Sequence, residues 1–114
     1  MITIEKLNAF GANTAEGLAR CFGNEALFLK LVATIPGEGN FDKLKDSIAA
    51  KDLKAAFEAA HALKGVLGNL SLTPLYTPVV EITELLRNKT ATDYSALLTD
   101  ILAKKEELGR LCAD

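Results

Sequence analysis

Histidine, cysteine and proline are scarce in this chain, and each shortage removes a class of reading. One histidine and two cysteines, Cys21 and Cys112, among 114 residues cannot complete a His/Cys zinc set. The two thiols stand near opposite ends of the sequence and, in a leucine-rich domain, read as reduced packing residues. No apolar run approaches the roughly 20 residues needed to cross a bilayer. Met1-Ile2-Thr3-Ile4-Glu5-Lys6 lacks the basic flank and apolar core of a signal peptide, so a cytoplasmic location is expected. Acidic and basic residues are interspersed around a net charge of −2, which leaves no basic patch for nucleic acid or anionic lipid. A P-loop, a glycine-rich nucleotide loop, a carboxylate cluster for Mg²⁺ and a Ser/His/Asp set are all missing.

What remains is helical. Half of the chain is apolar with only three prolines, alanine and leucine dominate, and the length suits one domain with a single core. Apolar spacing and capping residues predict helices over 25–36, 41–50, 52–70, 74–88 and 93–111, preceded by short ones over 4–10 and 14–21. Asn13 and Glu16 fit a capping box. Asn40, Asp52 and Thr73 read as caps, the last with Pro74 at the first helical position. The helical stripe of 41–50 is Phe41, Leu44, Ile48 and Ala49, and Pro78 suggests a local kink in 74–88. Nothing reads as a strand or a repeat. Short connections between long amphipathic helices predict an all-α, antiparallel up-and-down four-helix bundle, residues 1–114 forming one domain with short N-terminal capping helices.

The single histidine, His61, falls on the polar side of its helix. At about 100° per residue, Ala56, Ala59, Ala60, Leu63, Val66, Leu67 and Leu70 gather in one sector. Lys54, Phe57, Glu58, Lys64, Gly65 and Gly68 share the opposite sector with His61. A histidine there is wet and reachable, with a cation one turn later. The two glycines cost the helix about 1 kcal/mol each relative to alanine, and they remove side-chain bulk where another backbone could approach. Phe57, one turn before His61, suits a partner's docking surface.

An imidazole beside an ammonium suits nucleophilic capture of a phosphoryl group. Neutral histidine is available near pH 7 and needs no general base, and Lys64 can offset phosphoryl charge. The chain can carry such a group but has no visible means to take one from ATP, so it is not expected to be an enzyme. Two other readings stand beside this one: a helical bundle that binds a partner without phosphotransfer, and a His-dependent hydrolase. The second lacks a further catalytic group or metal site.

Several stretches resemble the histidine-containing phosphotransfer (HPt) domain family. They are the helix start Asn24-Glu25-Ala26-Leu27-Phe28, the turn Ala50-Lys51-Asp52, the central Ala60-His61-Ala62-Leu63-Lys64-Gly65, and Gly68-Asn69-Leu70. The resemblance implies that His61 is phosphorylated, that Lys64 stabilises the phosphoryl group, and that Gly65 and Gly68 give clearance to a receiver domain. Phe57, Glu58 and Asn69 would share that docking face. It implies a monomeric phosphocarrier between receiver domains of a hybrid sensor kinase or response regulator, with no cofactor of its own and Mg²⁺ held by the receiver. Two positions depart from the family pattern. Members often carry Gly where Ser71 stands, and Gln or Glu near Thr83, where it can hydrogen-bond the imidazole. Thr83 is shorter, which leaves Glu81, Glu84 or a water for that task.

Overall fold

Capping side chains decide where most of the helices begin. In the computed structural model, which describes residues 1–113, α1 (Ile4–Phe10) starts at Thr3, whose hydroxyl accepts from the Lys6 amide, and stops at Gly11 with φ 106°. Asn13 and Asn24 open α2 (Thr14–Arg20) and α3 (Glu25–Ala33) in the same way, each accepting from an amide three residues on. A 3₁₀ turn over Ile35–Gly37 leads into α4 (Asn40–Ala49). Asp52 caps α5 (Leu53–Asn69), and α6 (Thr73–Arg87) and α7 (Ser95–Ala113) complete an all-helical chain with no strand among the described residues.

The helix ends lie within three residues of the sequence expectation, and four of the differences have a local reason. The α-helix expected over 25–36 stops at Ala33, because Pro36 has no amide to donate to the preceding turn and the chain continues as the 3₁₀ turn from Ile35. Asn40 is not a cap but the first residue of α4; the Glu38 carboxylate accepts from both its backbone and side-chain amides, at 3.2 and 3.0 Å. Leu72 rather than Thr73 is the cap of α6, since the Thr73 hydroxyl points back to the Ser71 carbonyl at 3.5 Å. The last helix begins at Ser95, two residues later than expected, with the Asp93 carboxylate accepting from the Ser95 amide at 2.9 Å. In α4 the buried positions are Phe41, Leu44 and Ser47, while Ala49 faces water. Meanwhile α6 continues through Pro78.

The packing that matters for function centres on α5. It lies between α4 and α6, and α6 in turn contacts α7. Ala56, Ala59 and Ala60 are fully buried along its inner face; their small side chains let the neighbouring helices approach closely. Leu63 and Leu67 continue that face into a core with Phe28, Phe41, Leu75 and Ile82. Phe57 of α5 meets Arg87 of α6, and Gly68 meets Tyr76, so these two helices run antiparallel.

The N-terminal helices abut the far end of α5. The Asn13 amide donates to the Ser71 carbonyl at 3.0 Å. Gly17 lies so close that an added Cβ would sit 2.5 Å from the Phe28 ring and 2.9 Å from the Leu70 carbonyl oxygen. Cys21 is buried, Cys112 is half-buried, and both are free thiols; burial pushes the Cys112 thiol above its ordinary range. Among the described residues no helix is long and apolar enough to cross a membrane.

Candidate functional site

The register of α5 turns its polar side outward as the periodicity predicts. His61 and Gly65 are exposed, as are Lys54, Glu58 and Asn69, while Lys64, Gly68 and Phe57 are half-buried. His61 and Lys64 are three residues apart on one helix, which brings their Cβ atoms within about 5–6 Å. No carboxylate pairs with the Lys64 ammonium among the described residues. A cation without a partner stands one turn from a wet imidazole.

Stacking holds that imidazole. The ring centroids of Phe57 and His61 are 5.6 Å apart, with the planes only 16° from parallel, an offset-stacked geometry worth about 0.5–1.5 kcal/mol beyond the area it buries. The Arg87 guanidinium reaches over from α6 to lie 5.1 Å from the centre of the same phenyl ring. Arg87 is itself paired with Glu84 at 3.4 Å. Phe57 is therefore engaged inside the molecule, by α6 and by the histidine, rather than projecting freely toward a partner.

None of the side chains expected to orient the imidazole reaches it. Thr83 is fully buried and its hydroxyl donates to the Val79 carbonyl, one turn back in its own helix, at 2.6 Å. Glu84 is engaged by Arg87, and Glu81 lies exposed. His61 makes no hydrogen bond to any described residue. Glu58 pairs with Lys43 of α4 at 3.6 Å, so it faces the other flank of the helix.

Beyond Lys64 the surface opens into a groove of about 320 Å³ lined by Glu16, Arg20, Lys64, Gly65, Gly68, Asn69, Thr73 and Tyr76. The two glycines of this face differ. A Cβ on Gly65 would meet nothing within 4 Å, whereas one on Gly68 would come 3.0 Å from Tyr76 Cε1. The bareness of Gly68 is already used by the Tyr76 ring; only Gly65 leaves space open to an incoming molecule.

Ser71, buried at the end of α5, is bonded to Glu16 of the groove wall. It sits in left-handed backbone, φ 54°, a conformation that favours glycine. Its hydroxyl donates to the Glu16 carboxylate at 2.9 Å, and Arg20 reaches the same carboxylate at 3.3 Å. The capping box of α2 is altered accordingly: the Asn13 side-chain oxygen accepts from the Glu16 backbone amide, the Asn13 backbone amide donates to the Ser71 carbonyl, and Glu16 receives only the Asn13 side-chain amide, at 3.5 Å.

Arg87, Tyr76 and the Ser71–Glu16 tether are the parts of this region that sequence reasoning missed. Each depends on which residues α6 or α2 brings alongside α5, and no local pattern in the chain signals that. Among the described residues no group of three His, Cys, Asp or Glu side chains could hold a metal ion. Chemically the site offers an exposed imidazole stacked on Phe57, an ammonium with no charge partner among the described residues, and open space over Gly65.

Comparison with known proteins returned one family. The model of the Hpt domain matches residues 37–113, a span that begins at the end of the 3₁₀ turn and holds the whole of α4 to α7. Neither the search of curated proteins nor that of solved structures returned a match.

Proposed function

The chain belongs to the Hpt domain family, whose members serve phosphotransfer in phosphorelays and interact with receiver domains, and we propose that His61 is the residue that carries the phosphoryl group. In this reading α4 to α7 form an up-and-down antiparallel bundle, and α5 presents the histidine to two receivers in turn. The observation that carries it is the pairing of an exposed imidazole with an unpaired Lys64 and an open Gly65 on one face of α5.

The transfer balances between the two proteins, with water as the only proton acceptor. The unprotonated ring nitrogen of His61 attacks the phosphorus of an aspartyl phosphate on the first receiver. The P–N bond forms as the P–O bond to the acyl group breaks, the aspartate leaves as carboxylate, and the imidazolium gives up its ring proton to water. Reversal against the carboxylate of a second receiver returns the histidine to its free state. Lys64 offsets the charge on the equatorial phosphoryl oxygens during each passage, when that charge is most spread out. The receiver holds the Mg²⁺ that such a transfer uses.

The family's members are phosphocarriers rather than kinases. In keeping with that, the reading asks nothing of this chain beyond accepting and releasing the group. Incubation with a phosphorylated receiver domain tests it: label should leave the receiver and appear on the wild-type protein, while H61Q stays unlabelled. Label on H61Q at the wild-type level would contradict the assignment.

A further inference from the structure

We infer that Phe57 is the positioning residue for the His61 imidazole, doing by stacking what a hydrogen-bonding side chain from the next helix would otherwise do. The inference rests on the phosphocarrier reading for its consequence but not for its geometry. A nucleophilic imidazole attached through two rotatable bonds must hold its ring plane if its nitrogen is to meet phosphorus in line. Here no described residue donates to or accepts from the ring. Thr83, the nearest equivalent of an orienting group on α6, spends its hydroxyl on the Val79 carbonyl.

What constrains the ring is a relay of contacts across the α5–α6 interface. Glu84 holds Arg87 at 3.4 Å, Arg87 lies 5.1 Å from the centre of the Phe57 ring, and Phe57 stacks on His61 at 5.6 Å and 16°. Phe57 and His61 are one turn apart on the same helix, so their side chains lie over one another. Phe57 is half-buried beside Leu53, Leu86 and Arg87, which limits its own rotation. A stack fixes the plane of the imidazole yet leaves both ring nitrogens unbonded, one to attack and the other to shed a proton. A hydrogen-bonding partner would occupy one of them.

The test separates positioning from docking and from mere folding. In the unphosphorylated wild-type protein, NMR should show cross-relaxation between the Phe57 and His61 ring protons, and F57Y should retain it. Phosphotransfer from a labelled receiver should then be measured over a range of receiver concentrations. F57L should lower the rate constant at saturation roughly tenfold while the half-saturating concentration stays as in wild type, and F57Y should keep the wild-type rate. Absence of the ring–ring cross-peaks in the wild type would overturn the inference. So would wild-type turnover in F57L, or a loss confined to the half-saturating concentration. If F57L proves unfolded, R87Q provides the second arm: loss of the cation should weaken the cross-peaks and slow transfer in parallel, and slowed transfer with unchanged cross-peaks would count against the stack. A wild-type protein that shows the cross-peaks but accepts no phosphoryl group would defeat the phosphocarrier reading and leave the stack standing.

Discussion

Gly68 and Tyr76 meet across the α5–α6 interface so closely that a methyl group added to the glycine would lie 3.0 Å from Tyr76 Cε1. A methyl group on Gly65, one turn earlier, would meet nothing within 4 Å. The two positions should therefore respond oppositely to the same change. G65A should raise the unfolding free energy by about 1 kcal/mol, the ordinary gain of alanine over glycine in a helix. G68A receives the same propensity gain but forces the Tyr76 ring aside, giving a net loss of up to about 2 kcal/mol. In a Y76A background that loss should disappear. Denaturant unfolding of the wild type, G65A, G68A, Y76A and G68A/Y76A is the check; equal gains at both glycines would mean that Tyr76 yields freely.

Ser71 balances a strained backbone against a tether. Left-handed geometry costs a non-glycine residue about 1–2 kcal/mol, and here φ is 54°. The half-exposed bond from its hydroxyl to Glu16 returns a comparable amount. S71A keeps the strain and loses the bond, so it should destabilise by about 1 kcal/mol, whereas S71G loses both and should be near neutral. An S71G variant less stable than S71A in thermal unfolding would refute this balance.

Thr83 should be dispensable for transfer. Its hydroxyl donates to a carbonyl that the helix already pairs, so T83V should change stability by less than about 1 kcal/mol and leave the phosphotransfer rate as it was. T83Q, which offers a longer side chain with an amide, has no room at a fully buried position and should destabilise by about 1–3 kcal/mol. A faster, stable T83Q would show that the imidazole lacks an orienting hydrogen bond it can use.

How legible this site was in the chain can be argued from its parts. The polar side of α5 follows from spacing alone, because His61, Lys64 and Gly65 belong to one helix and their relative angles are set by its pitch. The caps at Asn13 and Asp52 were equally readable, since each is a bond within four residues. Asn40 and Thr73 misled because their neighbours, Glu38 and Ser71, supplied competing partners. The roles of Phe57 and Gly68 could not be read from one helix. A helical wheel shows Phe57 as an exposed aromatic and Gly68 as an empty place, and it cannot show Arg87 and Tyr76 arriving from α6 to fill those surroundings. The tether between Ser71 and Glu16 joins residues 55 apart, beyond any local pattern.

Lys64 is the residue on which transfer should depend without the fold depending on it. It is half-buried and has no charge partner among the described residues, and alanine is a good helix former, so K64A should unfold within about 0.5 kcal/mol of wild type. Loss of a charge-assisted contact to the phosphoryl oxygens, about 1.5–3 kcal/mol, should slow transfer at least tenfold. Stopped-flow or quench measurements with a phosphorylated receiver would read this directly. An unchanged rate would remove Lys64 from the mechanism.

The central claim is that His61 carries the phosphoryl group through nitrogen, and the most direct measurement is to identify the bond. Protein labelled by a phosphorylated receiver should be examined by ³¹P NMR and by peptide mapping. A single phosphoryl group should map to His61, survive alkali, be lost in acid as a P–N bond is, and leave the protein when a fresh Mg²⁺-loaded receiver is added. A label that maps to any other residue, that resists acid, or that no receiver can discharge would contradict the account.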